Sequence, residues 1–334
     1  MHMADALLTP AVGGTMYAVS AGALGYAAHK IRKDDLTDKK LPLMAVSGSF
    51  VFAAQMINFT IPATGSSGHI CGGILLAGLL GGEPALLSIA AVLVIQCLLF
   101  ADGGLLALGA NIFNMGVIPC LIVYPLLMRP FLQKGISKKR IAAASILSCV
   151  IGLQLGAFSV VLETLASGVT ELPFSTFVSL MQPIHLAIGF VEGLITVGVL
   201  IYVYSMRPEI LESAASSEKL PLRVSIGRTV ITLAILAALV GGGLSLYASS
   251  NPDGLEWAME RTAGTSELER EDGVHEAASR IQEQTSLLPD YDFADGEGTG
   301  TTASGLIGAA VTAALAAAAG GLLAATRKKG NFAS

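Results

Sequence analysis

Apolar residues are grouped into nine runs separated by polar segments, and most of these runs are as long as a membrane span. The runs lie at 10–29, 42–59, 70–82, 85–101, 109–128, 141–165, 180–206, 227–248 and 304–326. A helix needs about 20 apolar residues to cross the hydrocarbon core of a bilayer. The pattern therefore predicts an all-α, polytopic membrane helical bundle of about seven helices, followed by a two-helix C-terminal membrane module. The run at 70–82 is short enough to be partly re-entrant.

Composition supports the same class. Hydrophobic residues make up 53% of the chain and charged residues 13%, which is typical of membrane proteins. The 38 glycines suit membrane helices that pack closely through small residues. The four cysteines lie in apolar stretches without CxxC spacing and are interpreted as small buried hydrophobic residues.

Basic residues predict the orientation of the bundle. Of the 20 lysines and arginines, 17 fall in the segments 30–40, 129–140, 207–228 and 327–329, which would share one side of the membrane. Basic segments mark the cytoplasmic side. We therefore expect an integral membrane protein with the N-terminus outside and the C-terminus cytoplasmic.

The character of the chain changes near residue 210. We interpret residues 1–210 as the first membrane domain, 211–228 as a polar cytoplasmic linker and 229–334 as the two-helix module. Within that module, the outer loop 249–303 carries 13 of the 25 acidic residues. Because the loop is acidic and rich in Gly, Ser and Thr, we expect much of it to be disordered or loosely packed.

The first residues of the chain are candidate metal ligands. The opening MHMADALLTPAVGG has no early Lys or Arg, so it does not resemble a secretory signal, and we expect Met1 to be retained. The Met1 amine, the backbone nitrogen of His2 and the His2 ring can bind one ion in fused chelate rings. Such nitrogen sets suit Ni²⁺, Cu²⁺ and Co²⁺ better than Mg²⁺ or Ca²⁺. Taken alone, His in second position is also found in proteins that bind no metal.

A second histidine, His69, lies in the small-residue segment PATGSSGHICGG at the outer end of the third run. A loop of small residues could bring its imidazole, a common neutral ligand, to the N-terminus and complete a four-nitrogen site. The alternative is that His69 only forms hydrogen bonds at the end of a glycine-rich helix. Spacing alone leaves both interpretations open.

Several segments together resemble a known family. The segments MHMADALL, TGSSGHICGG, AFSVVLETLASG and HLAIGFVEGLIT, covering roughly 1–206, are similar to the CbiM/NikM family. Its members are the substrate-binding membrane components of energy-coupling-factor transporters for cobalt and nickel. The later segment NPDGLEWA resembles the PDGLE module of the CbiN/NikN partner, which here is fused and covers roughly 225–328.

This resemblance implies a function and a ligand set. It implies a specificity component that captures Co²⁺ or Ni²⁺ as transported substrate, with no organic cofactor, in a planar set of nitrogens from Met1, His2 and His69. It also implies a location integral to the prokaryotic cell (inner) membrane. The partners it implies are membrane lipid, a separate coupling membrane subunit and separate ATPase subunits, with no nucleic acid. The family often begins Met-His-Ile and then Pro-Asp-Gly or Met-Glu-Gly. Here the third to sixth residues are Met-Ala-Asp-Ala, and Asp5 stands in place of the usual acid.

Missing motifs narrow the function further. No GxxxxGK[ST] segment occurs, so the chain is not itself a P-loop ATPase. No HExxH segment or other catalytic constellation indicates an enzyme. The main alternative is a gradient-driven secondary transition-metal transporter. That class is expected to carry ionisable residues near the middle of the membrane in paired repeats, and only His185 and Glu192 fit, without a clear repeat.

Other polar residues are candidates for supporting roles. Asn58, Thr60, Ser66 and Ser67 cluster near the outer mouth, where they could orient an imidazole ligand. The seven-residue spacing of His185 and Glu192 places them on one helix face, either as a polar contact that positions helices or as a pair that handles protons or metal.

Three further expectations concern polar and loop residues. Glu163 is expected to make a polar packing contact, and His275 to be a solvated loop residue. We also hypothesise that the PDGLE segment lies against the N-terminal loop and influences the arrival of the metal.

Overall fold

The computed structural model describes residues 1–34, 40–221, 225–270, 272–293 and 300–330, the side chains of 34 and 323–330 excepted. The predicted all-α membrane architecture is confirmed. The helices are α1 (Pro10–Asp34), α2 (Lys40–Gln55), α3 (Gly73–Leu80), α4 (Gly82–Phe100), α5 (Leu108–Ile112), α6 (Arg129–Gln133), α7 (Lys138–Ala166), α8 (Phe174–Met206), α9 (Pro208–Ser216), α10 (Gly227–Gly242), α11 (Gly254–Ala263), α12 (Gly273–Thr285) and α13 (Thr301–Gly330).

Shorter elements connect these helices. Between α5 and α6, the segment Phe113–Met128 continues with π-type hydrogen bonds and contains two prolines, Pro119 and Pro125. Single 3₁₀ turns occur at Asp5–Leu7, Leu244–Tyr247 and Pro289–Tyr291. A hairpin of β1 (Phe59–Ile61) and β2 (Ser66–Gly68) is antiparallel and pairs Phe59 with Gly68.

Among the described helices, five are long and apolar enough to cross a membrane. They are Gly82–Phe100, Leu108–Gln133, Lys138–Ala166, Phe174–Met206 and Thr301–Leu322. The apolar helix Gly227–Gly242 is shorter. By contrast α3, in the run at 70–82, has eight residues, all of them buried. At 1.5 Å per residue it is only about 12 Å long, too short to span a bilayer core of about 30 Å.

The linker expected at 211–228 begins inside α9, a helix that packs against the core. Its apolar face, including Ile210 and Leu211, is buried. The carbonyl oxygens near its end accept hydrogen bonds from the Tyr124 hydroxyl (2.8 Å, to Ala214) and the Arg129 Nε (2.9 Å, to Ala215). The segment is therefore attached to the bundle through residue 216, despite its polar composition.

The C-terminal module packs against the first domain through small residues. Helices α10 and α13 lie along α2, and α13 also contacts α4. At Gly308 of α13, an added Cβ would lie 2.0 Å from the Phe52 ring of α2, which is completely buried. Only glycine therefore lets these helices approach so closely.

The acidic segment 249–303 is largely ordered, so the expectation of loose packing is wrong for its described residues. Asp253 caps α11 in a capping box with Glu256, and the Asp272 side chain accepts hydrogen bonds at the start of α12. Apolar residues of α11 are buried, among them Leu255 and Met259. These two helices pack onto the same end of the bundle as the N-terminal residues, through contacts between distant parts of the chain that composition does not reveal.

The close approach at Gly308 predicts that replacing this glycine with alanine destabilises the protein, whereas the same replacement at Gly321, also in α13, does not. Gly308→Ala places a methyl group against Phe52, and overpacking of this kind costs about 1–3 kcal/mol. Gly321→Ala is the matched control, since its added Cβ meets nothing within 4 Å, and alanine favours a helix by up to about 1 kcal/mol over glycine. We expect the thermal unfolding midpoint in detergent to fall for Gly308→Ala and to stay or rise for Gly321→Ala. Equal midpoints would contradict the packing described.

Candidate metal centre

The N-terminal arm, residues 1–8, lies in the end of the bundle, and most of its residues are buried or half-buried. Met1 and Met3 are 5% and 0% exposed. The backbone of Met3 is held on both sides, since its N–H donates to Asn111 Oδ1 (2.8 Å) and its carbonyl accepts from Gly104 N (2.8 Å). These bonds fix the backbone next to the Met1 amine and the His2 ring.

The β-hairpin positions His69 directly after its second strand. Beyond His69 the chain turns sharply at Gly72, whose φ of +78° disfavours other residues and whose added Cβ would lie 2.3 Å from Val51. The turn is held by Glu192 of α8, whose two carboxylate oxygens accept the backbone N–H groups of Cys71 (2.8 Å) and Gly72 (3.0 Å). Glu192 therefore supports the loop that presents His69.

The hydrogen bonds of His69 select the tautomer that a metal ligand needs. Its Nδ1 lies 3.0 Å from the Ile70 carbonyl oxygen, an acceptor, so Nδ1 carries the proton. The lone pair is then on Nε2, which lies 3.2 Å from the Met1 amine nitrogen. A ring whose other nitrogen donates to a carbonyl is the usual arrangement of metal-binding histidine.

The His2 ring stacks on His69, with centroids 5.2 Å apart and planes 22° apart. An oxygen lies close to each of its nitrogens: Asp102 Oδ1 is 3.2 Å from Nδ1, and Gln96 Oε1 is 3.1 Å from Nε2. Burial, only partly offset by Asp102, lowers the pKa of His2 to about 4, so the ring is neutral at pH 7. A neutral ring has one N–H and can donate to only one of the two oxygens, which leaves the other nitrogen with a lone pair available to a cation.

The Met1 amine forms an ion pair with Asp253 of α11. The amine nitrogen lies 2.5 Å from Asp253 Oδ2, and the two side chains are 4% and 14% exposed. Burial favours the neutral amine, but the attraction of Asp253 outweighs it and raises the pKa of the Met1 amine. Burial likewise opposes ionisation of Asp253, but the Met1 ammonium holds the pKa of that carboxyl well below its usual range.

A second contact from the C-terminal module supports His2 indirectly. The Tyr291 hydroxyl donates to Asp102 Oδ2 and accepts from Gln96 Nε2 at 3.2 Å. The Tyr291 ring stacks on Phe100 at the end of α4, with centroids 4.7 Å apart. Both side chains that face the His2 nitrogens are thus held by one tyrosine.

Asp5 anchors the N-terminal arm to the rest of the protein. Its Oδ1 accepts the Ala107 N–H at 3.0 Å. The carbonyls of Asp5 and Leu8 both lie 3.0 Å from His275 Nε2, which must carry the proton because both partners are acceptors. His275 is 5% exposed, so the expectation of a solvated histidine is wrong, and α12 holds the arm in place.

The polar residues near the mouth contact the segment that leads into the PDGLE sequence. The Ser67 backbone N–H donates to the Pro252 carbonyl (2.8 Å), and the Ser67 hydroxyl donates to the Asn251 carbonyl (2.7 Å). The Ser66 hydroxyl donates to the Ser67 carbonyl at 3.0 Å. The Asn58 carbonyl accepts from Ser249 N at 2.7 Å, and the Thr60 hydroxyl donates to that of Ser249 at 3.0 Å. Through these contacts the edge of the hairpin is attached to residues 249–252 of the C-terminal module.

The polar residues of the spans form separate contacts. His185 Nδ1 lies 2.8 Å from the Met181 carbonyl, while its buried Nε2 has no hydrogen-bond partner among the described residues. Its neighbour on the helix face, Glu192, bonds to the His69 loop as described above. Glu163 accepts from Asn114 Nδ2 at 2.9 Å, as expected for a polar packing contact. The geometry of Glu192 thus supports a positioning role.

A cavity of about 1220 Å³ opens over these groups, between the first domain and the C-terminal module. His2, His69, Asp102 and Asp253 line it, together with other acidic residues of the segment 249–303. Crowded carboxylates produce a negative potential that attracts cations. The site therefore combines nitrogen donors with an acidic approach.

Sequence reasoning missed Gln96, Asp102, Asp253 and Tyr291. A capping-box signature, Asp followed three residues later by Glu, was readable at Asp253 and marks a helix start. No sequence pattern near Asp253 indicates that its carboxylate contacts Met1, which lies 252 positions earlier.

Two family models match this chain. Residues 2–210 match the family model described as CbiM, the cobalt uptake substrate-specific transmembrane region. Residues 227–325 match the PDGLE domain.

Relatives match over both segments. The putative fused nickel transport protein NikMN of Archaeoglobus fulgidus is 32% identical over 94% of this chain and 96% of its own length. The fused nickel transport protein NikMN of Rhodobacter capsulatus is 28% identical over 99% of this chain and 100% of its own length. A crystal structure of a truncated transition metal transporter is 31% identical, with a TM-score of 0.54 over 62% of this chain and 99% of that one. These matches confirm the resemblance and the expectation of a transport component rather than an enzyme.

The hydrogen bonds of Glu192 lead to a test of its role. Glu192→Leu leaves two buried backbone N–H groups without acceptors, each costing about 1–3 kcal/mol, whereas Glu192→Gln keeps one acceptor oxygen. We expect the unfolding midpoint in detergent to fall most for Glu192→Leu, less for Glu192→Gln, and not for the exposed control Glu171→Gln. A fully stable Glu192→Leu protein would contradict the positioning role.

Proposed function

Since the chain belongs to the CbiM family and carries a PDGLE domain after it, we propose that it captures Ni²⁺ or Co²⁺ in its N-terminal arm. The Met1 amine, the backbone nitrogen and ring of His2, and the His69 ring are the ligands. The ion is the transported substrate, and no organic cofactor takes part. The observation that carries the proposal is the 3.2 Å approach of the Met1 amine to His69 Nε2, with His2 stacked beside them.

The geometry of these nitrogens fits a small chelate site. Metal–nitrogen bonds are about 2.0–2.1 Å long in zinc sites, so two nitrogens at a right angle around an ion lie about 2.9 Å apart. The observed separation of 3.2 Å needs only a small adjustment. Nitrogen donors also favour Ni²⁺ and Co²⁺ over Mg²⁺ and Ca²⁺.

Charge supports the same set of ligands. His2 is neutral at pH 7, as a ligand must be, and the Met1 ammonium must lose its proton to coordinate. If the His2 amide also loses its proton, the bound divalent ion with that amidate carries a net charge of +1. Asp253 then faces a single positive charge before and after binding, so no buried carboxylate is left uncompensated.

Import requires partners that this chain does not supply. We infer that the end carrying the site faces outward, in line with the basic segments at the opposite ends of the spans. Separate ATPase subunits and a coupling membrane subunit would then drive release inward, as in an energy-coupling-factor importer. Uptake that depends on ATP hydrolysis by those subunits distinguishes this mechanism from a gradient-driven transporter.

The position of the amine predicts that lengthening the arm abolishes binding. The purified full chain beginning at Met1, verified by intact mass, should bind one equivalent of Ni²⁺ or Co²⁺ by calorimetric titration. Insertion of the dipeptide Leu-Pro between Met1 and His2 preserves every side chain of the arm and displaces the amine, and its proline has no N–H that could continue a new chelate from the amine to the His2 ring. We expect its affinity to fall at least about a hundredfold, since two coordinated nitrogens leave the site. Equal affinity of both proteins would contradict the proposed ligands.

The chelate also predicts the pH dependence of binding. His2, with a pKa of about 4, has no proton to lose between about pH 6 and 8, whereas the amine, with its raised pKa, is protonated there. Binding releases one proton from the amine and one from the His2 amide, so affinity rises as pH rises, by about tenfold per unit for each proton. We expect a slope of about two for the logarithm of affinity against pH. A slope near zero would contradict amine coordination.

A further inference from the structure

The two oxygens of the Asp253 carboxylate have different partners. Oδ1 accepts the backbone N–H groups of Leu255 (2.7 Å) and Glu256 (2.9 Å) at the start of α11, which fixes the orientation of the side chain. Oδ2 is directed at the Met1 amine and lies 3.8 Å from His69 Nε2. One carboxylate thus joins the first turn of a helix in the C-terminal module to two proposed ligands in the first domain.

The backbone around Asp253 is attached to the hairpin that carries His69. As described above, Ser67 donates hydrogen bonds to the backbone carbonyls of Asn251 and Pro252, the two residues before Asp253. On the other side, Trp257 Nε1 donates to the Thr64 carbonyl in the hairpin turn at 3.0 Å. Asp253 and His69 therefore belong to one hydrogen-bonded unit, and the Met1 amine is held between them.

Because the Met1 ammonium is buried, it requires a negatively charged partner. The Met1 amine is almost completely buried, so an isolated ammonium at this place would be strongly disfavoured. Hydrogen bonds to charged groups are stronger than those between neutral groups, and this one is shielded from water. Without Asp253, the arm would lose the contact that draws the amine towards His69.

We propose that Asp253 is a positioning residue for the metal: it holds the Met1 amine beside His69 and thereby couples docking of the PDGLE module to assembly of the ligand set. This inference rests on the proposed function. Such coupling is reciprocal, so the arrangement of the ligands also affects how firmly the module is docked. The residue supplied by the fused module acts through the amine, not through chemistry of its own.

The test separates this role from helix capping. Asparagine caps a helix as well as aspartate, so Asp253→Asn keeps the start of α11 but loses the negative charge, whereas Asp253→Ala loses both. Glu256→Gln is the matched control, because it alters the same capping box without touching the amine. Each full-length protein, without added metal, is treated with an amine-acylating reagent, and the rate of modification at Met1 is followed by mass spectrometry of the N-terminal peptide.

We expect Met1 of Asp253→Asn and of Asp253→Ala to react about tenfold or more faster than in the wild type, and Glu256→Gln to react at the wild-type rate. In parallel, the Ni²⁺ affinity of Asp253→Asn should fall about tenfold. Wild-type protection in Asp253→Asn, with exposure only in Asp253→Ala, would reduce Asp253 to a helix cap and overturn the inference.

The labelling and metal titrations also separate the two proposals. Metal binding by the wild type together with unchanged labelling in Asp253→Asn overturns the positioning role alone. Faster labelling in Asp253→Asn without metal binding by the wild type overturns the proposed function and, with it, this inference.

Discussion

The ion pair between the Met1 amine and Asp253 is the contact on which the site depends. It is buried, it joins the first residue to a segment 252 positions later, and it lies between the two histidine rings and the C-terminal module. A buried ammonium is tolerated only with such a partner. The arm, the His69 hairpin and the PDGLE segment consequently form one structural unit.

The C-terminal module contributes more than a membrane attachment. Asp253 reaches the amine, Tyr291 holds Asp102 and Gln96 against the His2 ring, and His275 bonds two carbonyls of the arm. These three contacts come from three short helical elements of one acidic segment. Fusion of the module to the first domain keeps that segment close to the arm at all times, which raises its effective concentration.

Local chemistry made some of this architecture predictable and left the rest hidden. Apolar runs predicted the membrane helices because span length is set by bilayer thickness, and the chelating opening singled out Met1 and His2. The order in 249–303 was not predictable, since α11 and α12 are stabilised by packing on a distant surface that composition does not encode. Tyr291 and Asp102 likewise lack any local motif, and their roles arise only when the end of α4 meets the turn at 289–291.

Anomalous X-ray diffraction from crystals of the full-length protein loaded with Ni²⁺ tests the central claim most directly, because it locates the ion without assuming its ligands. The account predicts one strong peak within bonding distance of the Met1 amine, the His2 ring and His69 Nε2, with the Asp253 carboxylate beside it. A peak at His185 or Glu192, or one among the carboxylates of 249–303 away from the arm, would contradict it.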